Sequence, residues 1–332
     1  MDKKGSIFII TMWTVLFLSI LAVSIGKTAH MRIKFSGAIE NRNNIYHMIN
    51  SGIDAISGEI ILESLKEPVL LFPYVVKKAK DEQLKLVRAM DKNINYNYSF
   101  DVFEGQLFLK VSDEQSKINI NNIGYDVLKR IIKDTSGLDE EQAQEISYSI
   151  IDWVDEDNER PLVKVVSNED LYYKLDNIPY KPKNDKFEAV EELLLIKGMT
   201  TNVYEGIEKY ITVYGNGKVN INTCSDVVLK NIVNDKTLFD KIKSFRTKYS
   251  NDVQNLFDND RTITKKLKEN MGLQPEQEKI LQELVNQGII GVDTNAFRVT
   301  GIAVSKNFLG EVDCVVDDQG NRLFFFEDFI SI

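Results

Sequence analysis

The stretch that most limits what this chain can become lies at its start. After "MDKKG" it continues "SIFIITMWTVLFLSILAVSIG", with no charged side chain from Ser6 to Gly26. At 1.5 Å per residue such a run makes a helix of roughly 30 Å, the thickness of a bilayer's hydrocarbon core. Lys3 and Lys4 precede it and favour a cytoplasmic N-terminus with the remaining chain on the other side. His30, Arg32 and Lys34, just beyond the run, weaken that asymmetry. The run is longer than the apolar core of a secretory signal and its basic leader is shorter, so the helix is expected to stay on the protein.

Gly5, the only glycine of the short leader, stands immediately before the apolar run. The arrangement resembles a type IV prepilin leader, in which a prepilin peptidase cuts after a glycine, here between Gly5 and Ser6, and leaves the hydrophobic helix on the mature protein. Downstream, Ile39, Ile45, Ile49, Ile53, Ile56, Ile60 and Leu65 keep near-helical spacing, which predicts one long helix up to Pro68. Gly37, Gly52 and Gly58 reduce its intrinsic stability.

The 332 residues are 43% hydrophobic and 27% charged, enough for more than one packed core. A net charge of −9 opposes any role that grips phosphate backbones. Cys224 and Cys314 are too few for a disulfide scaffold and have no zinc spacing; two partly buried thiols are expected, with a single disulfide as the alternative. "NYNYSFDVFEGQLFLKVSD" alternates, with Gly105 where a hairpin turns, and the C-terminal stretch alternates again around "DDQG". Between them the pattern is helical: Tyr125–Lys133, Glu140–Asp152, a pair in "EAVEELLLIKGMTTNVYEGIEKYI", then Val227 to about Tyr249 and Thr262–Met271.

One phrase occurs twice. "SKININN" at 116–122 and "GKVNINT" at 217–223 each run into an Asp-Val-x-Leu-Lys helix. The apolar Ile118 and Ile120, or Val219 and Ile221, can face a core while Asn121 or Asn122, and Asn222 or Thr223, cap the helix that follows. Two copies predict two helical units entered in the same way.

"SDEQSKININ", "IIDWVDEDNERPL", "NEDLYY" and "FEAVEELLLIKGMTTNVYEGIEKYITVYGNGKVNIN" occur in the order found in general secretion pathway protein K, the large minor pseudopilin of type II secretion, and the chain resembles that family from Gly5 to near its C-terminus. The resemblance implies an α+β fold: a pilin-like long N-terminal helix with a small antiparallel sheet, interrupted by a large all-α, helix-hairpin-helix-type insertion. It divides the chain into a leader (1–5), membrane (6–26) and distal (27–67) halves of the helix, strands (68–121), a helical insertion (122–215), and a second helical segment with C-terminal strands (216–332). It further implies a non-enzymatic subunit at the pseudopilus tip, anchored in the inner membrane with its head in the periplasm. The partners it implies are minor pseudopilins I and J, the major pseudopilus subunit, the prepilin peptidase and the inner-membrane secretion platform. Ile10 occupies mature position five, where major pilins carry a glutamate that pairs with a neighbour's N-terminal amine; a subunit without it need not dock beneath another.

"DWVDEDNERP" and "NEDLYY" concentrate hard oxygen donors of the kind calcium takes, without the glycine and distal glutamate of an EF-hand loop. A solvated acidic loop is the alternative. Members of the resembled family bind calcium near this insertion, which makes Asp155, Asp157, Glu169 and Asp170 the candidate ligands and Asp152 a helix-end cap or supporting group. Ser167 and Asn168 stand where the family has Gly-Ala. The "LLLIKGMTT" hairpin, with Gly198 in the turn and Thr200 or Thr201 as cap, leaves a second function in view, a membrane-anchored helix-hairpin-helix protein binding DNA in a competence or type IV pilus-like system. Asp185, Glu188, Glu191, Glu192, Glu205 and Glu208 around it oppose that use. His30 and His47 both fall on the long helix, remote in sequence from the acidic cluster, and no catalytic triad pattern is present.

Overall fold

The computed structural model describes residues 3–64, 85–90, 96–102, 105–155, 180–249, 256–305 and 308–331. A single helix, α1, runs from Lys3 to Ser64, 62 residues without a break. Its second half buries Ile45, Ile49, Ile53, Ile56 and Ile60, spaced so that all five fall on one stripe. The stripe lies on a six-stranded antiparallel sheet whose order is β1 (Lys85–Met90), β2 (Tyr96–Val102), β3 (Gly105–Asp113), β8 (Ala296–Ser305), β9 (Phe308–Asp317), β10 (Arg322–Ser331). Leu107, Leu109, Val111, Val299, Ala303, Val312, Cys314 and Val316 face the helix. Gly52 earns its place here: a Cβ on it would collide with the Leu107 side chain, so the missing side chain lets helix and strand approach.

The hairpins form where alternation and turn residues predicted them. β2 and β3 meet at Val102 opposite Gly105. β9 and β10 are joined by a turn in which Gly320 has φ +82° and the Asp317 carboxylate accepts from the Gln319 and Asn321 amides.

β3 and β8 are direct neighbours, Asp113 opposite Phe297, so the whole chain from 114 to 295 is an insert between two adjacent strands. It is built as two successive units. The first opens on β4 (Ile118–Asn119), continues through α2 (Tyr125–Ser136), α3 (Glu140–Val154), a 3₁₀ helix (Val190–Leu195) and α4 (Thr201–Ile207), and closes on β5 (Ile211–Thr212), parallel to β4. The second opens on β6 (Val219–Asn220), continues through α5 (Asp226–Val233), α6 (Lys236–Lys248), α7 (Asp260–Met271) and α8 (Pro275–Asn286), and closes on β7 (Ile290–Gly291), parallel to β6. The doubled phrase forms the opening strand of each. Residues 215–216, the boundary drawn from the sequence, lie between the units, within the insert. Both units contribute to one continuous core, from Ile118 and Leu128 to Leu267 and Leu281.

Cys224 is buried in that core and Cys314 in the sheet core, both as free thiols. Burial pushes each thiol up to about 11, which keeps it protonated and poorly nucleophilic.

Candidate functional site

The asparagines of the repeated phrase are not helix caps. The residue preceding α2 is Gly124, which makes no side-chain capping bond, and the cap of α5 is Ser225, which accepts from the Val228 amide. A turn of several residues separates each strand from its helix, so the asparagines point elsewhere. Asn121 donates from Nδ2 to the Phe187 carbonyl (3.0 Å) and accepts from the Phe187 amide (2.8 Å). Asn222 does the same to Phe257, at 2.9 and 3.2 Å. One residue pair earlier, Asn119 and Asn220 each accept from the amide two positions on, at 3.0 Å. Each clamped phenylalanine stacks on an aromatic ring of its unit's second helix, Phe187 on Trp153 and Phe257 on Phe245. Two polar clamps and two aromatic stacks in corresponding places make the units structural repeats.

Three consecutive residues at the end of β3 tie both repeats to the sheet. Asp113 accepts at Oδ2 from Asn220 (2.9 Å), Thr223 (2.5 Å) and Thr294 (2.8 Å), and at Oδ1 from the Gln115 amide (2.7 Å), gathering the opening and closing ends of the second unit. Glu114 is fully buried and forks onto Arg298 of β8, at 3.0 and 3.1 Å, while also meeting Lys117 (3.1 Å) and Thr212 of the first unit (2.9 Å). Gln115 donates to Asn216 (2.8 Å) and the Asp293 carbonyl (3.0 Å) and accepts from the Asn295 amide (2.6 Å). Gly215, at φ +89°, passes so close to Gln115 that a Cβ would stand 2.8 Å from its Cγ. The sequence shows these residues as "DEQS", an ordinary exposed acidic turn. What could have exposed them is their position, immediately between an alternating strand and the first copy of the repeated phrase.

The neighbouring carboxyls respond oppositely to burial. It pushes Asp113 up to about 6 despite the bonds from Thr223, Thr294, Gln115 and Asn220, because none of these donors carries a formal charge. Burial also pushes Glu114 up, but the Lys117 ammonium and Arg298 guanidinium outweigh it and hold that carboxyl below the ordinary range. Asp113 binds protons more readily folded than unfolded between pH 6 and 4, so its ionisation costs stability above pH 6 and that cost is relieved as pH falls through this window. A relief of about 1 kcal/mol between pH 7 and pH 5 is expected, smaller than the full shift implies because the window is only partly crossed at pH 5 and Asp113 keeps some solvent contact. Urea unfolding at pH 7 and pH 5 checks it: wild type should gain stability relative to Asp113→Asn as pH drops, and an unchanged difference would refute the assignment.

The acidic segment is described only in part. Asp157, Glu169 and Asp170 lie outside the described residues. Asp152 is fully buried in the last turn of α3 and Asp155 is the half-buried residue that ends it, its amide bonded to the Ile151 carbonyl at 3.0 Å. Among the described residues no group of three or more His, Cys, Asp or Glu is placed to hold a metal. The two carboxylates stand at a helix end with no basic residue in its last turn, where the helix dipole adds negative potential. In the hairpin, Gly198 has φ +87° and Thr200 caps α4 through the Val203 amide, while Leu194 and Leu195 are exposed.

At the other end of the molecule, Gly5 and Ser6 lie in the first turns of α1, and Ile10 is one of a series of exposed, mostly apolar and uncharged side chains from Ile7 to Ile25. This part of α1 is long and apolar enough to cross a membrane.

Comparison with known proteins gives three findings. Residues 109–216 match the family model described as type II secretion system (T2SS), protein K. Type II secretion system protein K of Aeromonas hydrophila is 28% identical over 143 residues, 37% of this chain and 43% of that protein, and its counterpart from Klebsiella pneumoniae is 25% identical over 139 residues, 37% of this chain and 41% of that protein. The matched stretch thus spans less than half the length of these curated relatives. In fold, the chain is similar to one in the crystal structure of the GspK-GspI-GspJ complex from the enterotoxigenic Escherichia coli type 2 secretion system, with a TM-score of 0.55 and 14% identity over 88% of this chain and 100% of that one.

Proposed function

We propose that this chain, whose residues 109–216 match the family model of type II secretion system protein K, is a non-enzymatic minor pseudopilin at the tip of the pseudopilus. The observation that carries the reading is α1 itself: one unbroken helix, bare and apolar over its first half and stitched to a sheet over its second. Such a helix can rest in a bilayer before assembly and be withdrawn into a fibre afterwards, exchanging lipid for neighbouring helices along the same apolar surface. Gly5–Ser6 is the processing junction in this reading. Ile10 leaves nothing on the helix for a neighbour's N-terminal amine to pair with at that level, which suits a subunit at the end of the fibre. The assembly of the structurally similar protein with GspI and GspJ supports two minor pseudopilins as partners. Co-expression of the full chain with pseudopilins I and J tests it. A ternary complex that survives detergent purification is expected, and recovery of the chain free of both would count against a tip complex.

Calcium belongs to the same proposal. Asp155, with Asp157, Glu169 and Asp170 from the segment beyond α3, would supply oxygen donors only, with Asp152 as a supporting group behind them, and the ion would offset their charge. One millimolar calcium is expected to raise the melting temperature by a few degrees, reversibly with chelator and not in Asp155→Asn/Asp157→Asn. The absence of any calcium-dependent shift would remove the ion from the proposal.

A further inference from the structure

We propose that a collar of basic residues on α1, Lys27, His30, Arg32 and Lys34, binds the phosphates of anionic phospholipids in the leaflet opposite the N-terminus. The inference rests on the membrane reading above and adds a ligand to it. All four side chains are exposed, and none enters an ion pair among the described residues. Every residue of α1 from Lys27 to Ser36 is exposed; half-burial begins at Gly37 and full burial at Ile45, with Arg42 over the Phe329 ring, 4.9 Å from its centroid, between them. Lys27–Lys34 is therefore a bare stalk, which the fold of the head does not require to be basic.

Position supplies the ligand. With Ser6–Gly26 filling roughly 30 Å of hydrocarbon, the next seven or eight residues rise about 10 Å further, the depth of a headgroup layer. Lys27, His30 and Lys34 follow one another at spacings of three and four and share a face, while Arg32 lies on the other side, so phosphates can be met around the helix. Met31 and Ile33 between them, and Phe35 just beyond, are 60%, 71% and 68% exposed, apolar side chains suited to an amphipathic headgroup layer rather than to open water.

Charge points the same way. Cations on this side run against the tendency that keeps them cytoplasmic, so topology does not account for them. The chain has 41 Lys and Arg against 50 Asp and Glu; residues 1–34 hold five of the former and one of the latter, which leaves 36 against 49, net −13, for the rest. An anionic surface repels that head, and the collar is the part of the chain with the charge to hold it.

The test places the full chain in phosphatidylcholine vesicles and compares how strongly spin-labelled phosphatidylglycerol and spin-labelled phosphatidylcholine associate with it. A preference of about three- to tenfold for phosphatidylglycerol is expected, of the order one basic side chain provides to the headgroup it meets, and it should vanish in 0.5 M salt and in the Lys27→Gln/Arg32→Gln/Lys34→Gln variant while both proteins resist carbonate extraction. Equal association of the two lipids with wild type, or a preference that survives in the variant, overturns the collar while leaving the membrane reading intact. Loss of co-purifying pseudopilins from the variant without lipid preference in wild type would also overturn it and would assign the collar to protein carboxylates. Carbonate extraction of wild type would overturn both readings.

Discussion

Replacing Arg298 with methionine is expected to destabilise the protein by about 3–5 kcal/mol, the cost of leaving a buried carboxylate without its principal partner. Glu114 has no exposed surface, and Arg298 meets both of its oxygens. Lys117 remains beside it, which argues for the lower half of that range. The same guanidinium also meets Asp313 of β9 at 2.7 Å, so the substitution loosens two strands together with the base of the first repeat. A Glu114→Gln/Arg298→Met double variant should recover part of the loss, because it removes the charge that the single variant strands. Urea unfolding of the four proteins of that cycle measures the coupling, and strictly additive losses would show that the pair is not the element joining sheet and insert.

The second large effect is expected at the asparagine clamps. Asn222→Ala leaves the amide and the carbonyl of buried Phe257 without their partner, at about 1–3 kcal/mol for each orphaned group, so a loss of about 2–6 kcal/mol is expected. Asn121→Ala breaks the equivalent pair of bonds to Phe187, but Asn121 is half-buried and water can replace it, so the loss should be about half as large. Hydrogen exchange separates the two: the Phe257 amide should lose protection in the first variant and the Phe187 amide in the second. Equal and small effects in both would mean that the repeat is held by its aromatic stacks alone. The ranking follows from burial, since the two clamps have the same chemistry.

Much of the architecture was legible because it is local. The apolar run and the spaced isoleucines of α1 announce a helix with one bare half and one packed half, and alternation with Gly105 and Gly320 announces the hairpins. The two helical units were legible as a repeat because their opening phrases agree residue for residue at Lys-x-Asn-Ile-Asn. The function of those asparagines was misread because alternation of apolar and polar residues ordinarily means one buried and one wet face. Here both faces are covered: Asn119, Asn220 and Asn222 are 4%, 5% and 9% exposed, since the parallel closing strands, the clamped loops and the end of β3 surround the opening strands. The candidate calcium ligands show the other limit, for a sequence places carboxylates near one another in number but not in direction.

The sequence by itself determined the helix, its membrane-compatible half, the sheet-forming segments and the existence of two similar helical units, because each depends on a period or a turn residue within a few positions. Only the tertiary structure decided that both units form one insert between β3 and β8, and that Asp113, Glu114 and Gln115 are its fastening. Those facts rest on pairings such as Glu114 with Arg298 and Gln115 with Asn295, across 184 and 180 positions. A carboxylate reads the same in sequence whether water or an arginine surrounds it; burial, created when the two ends of the insert close on the sheet, makes the difference.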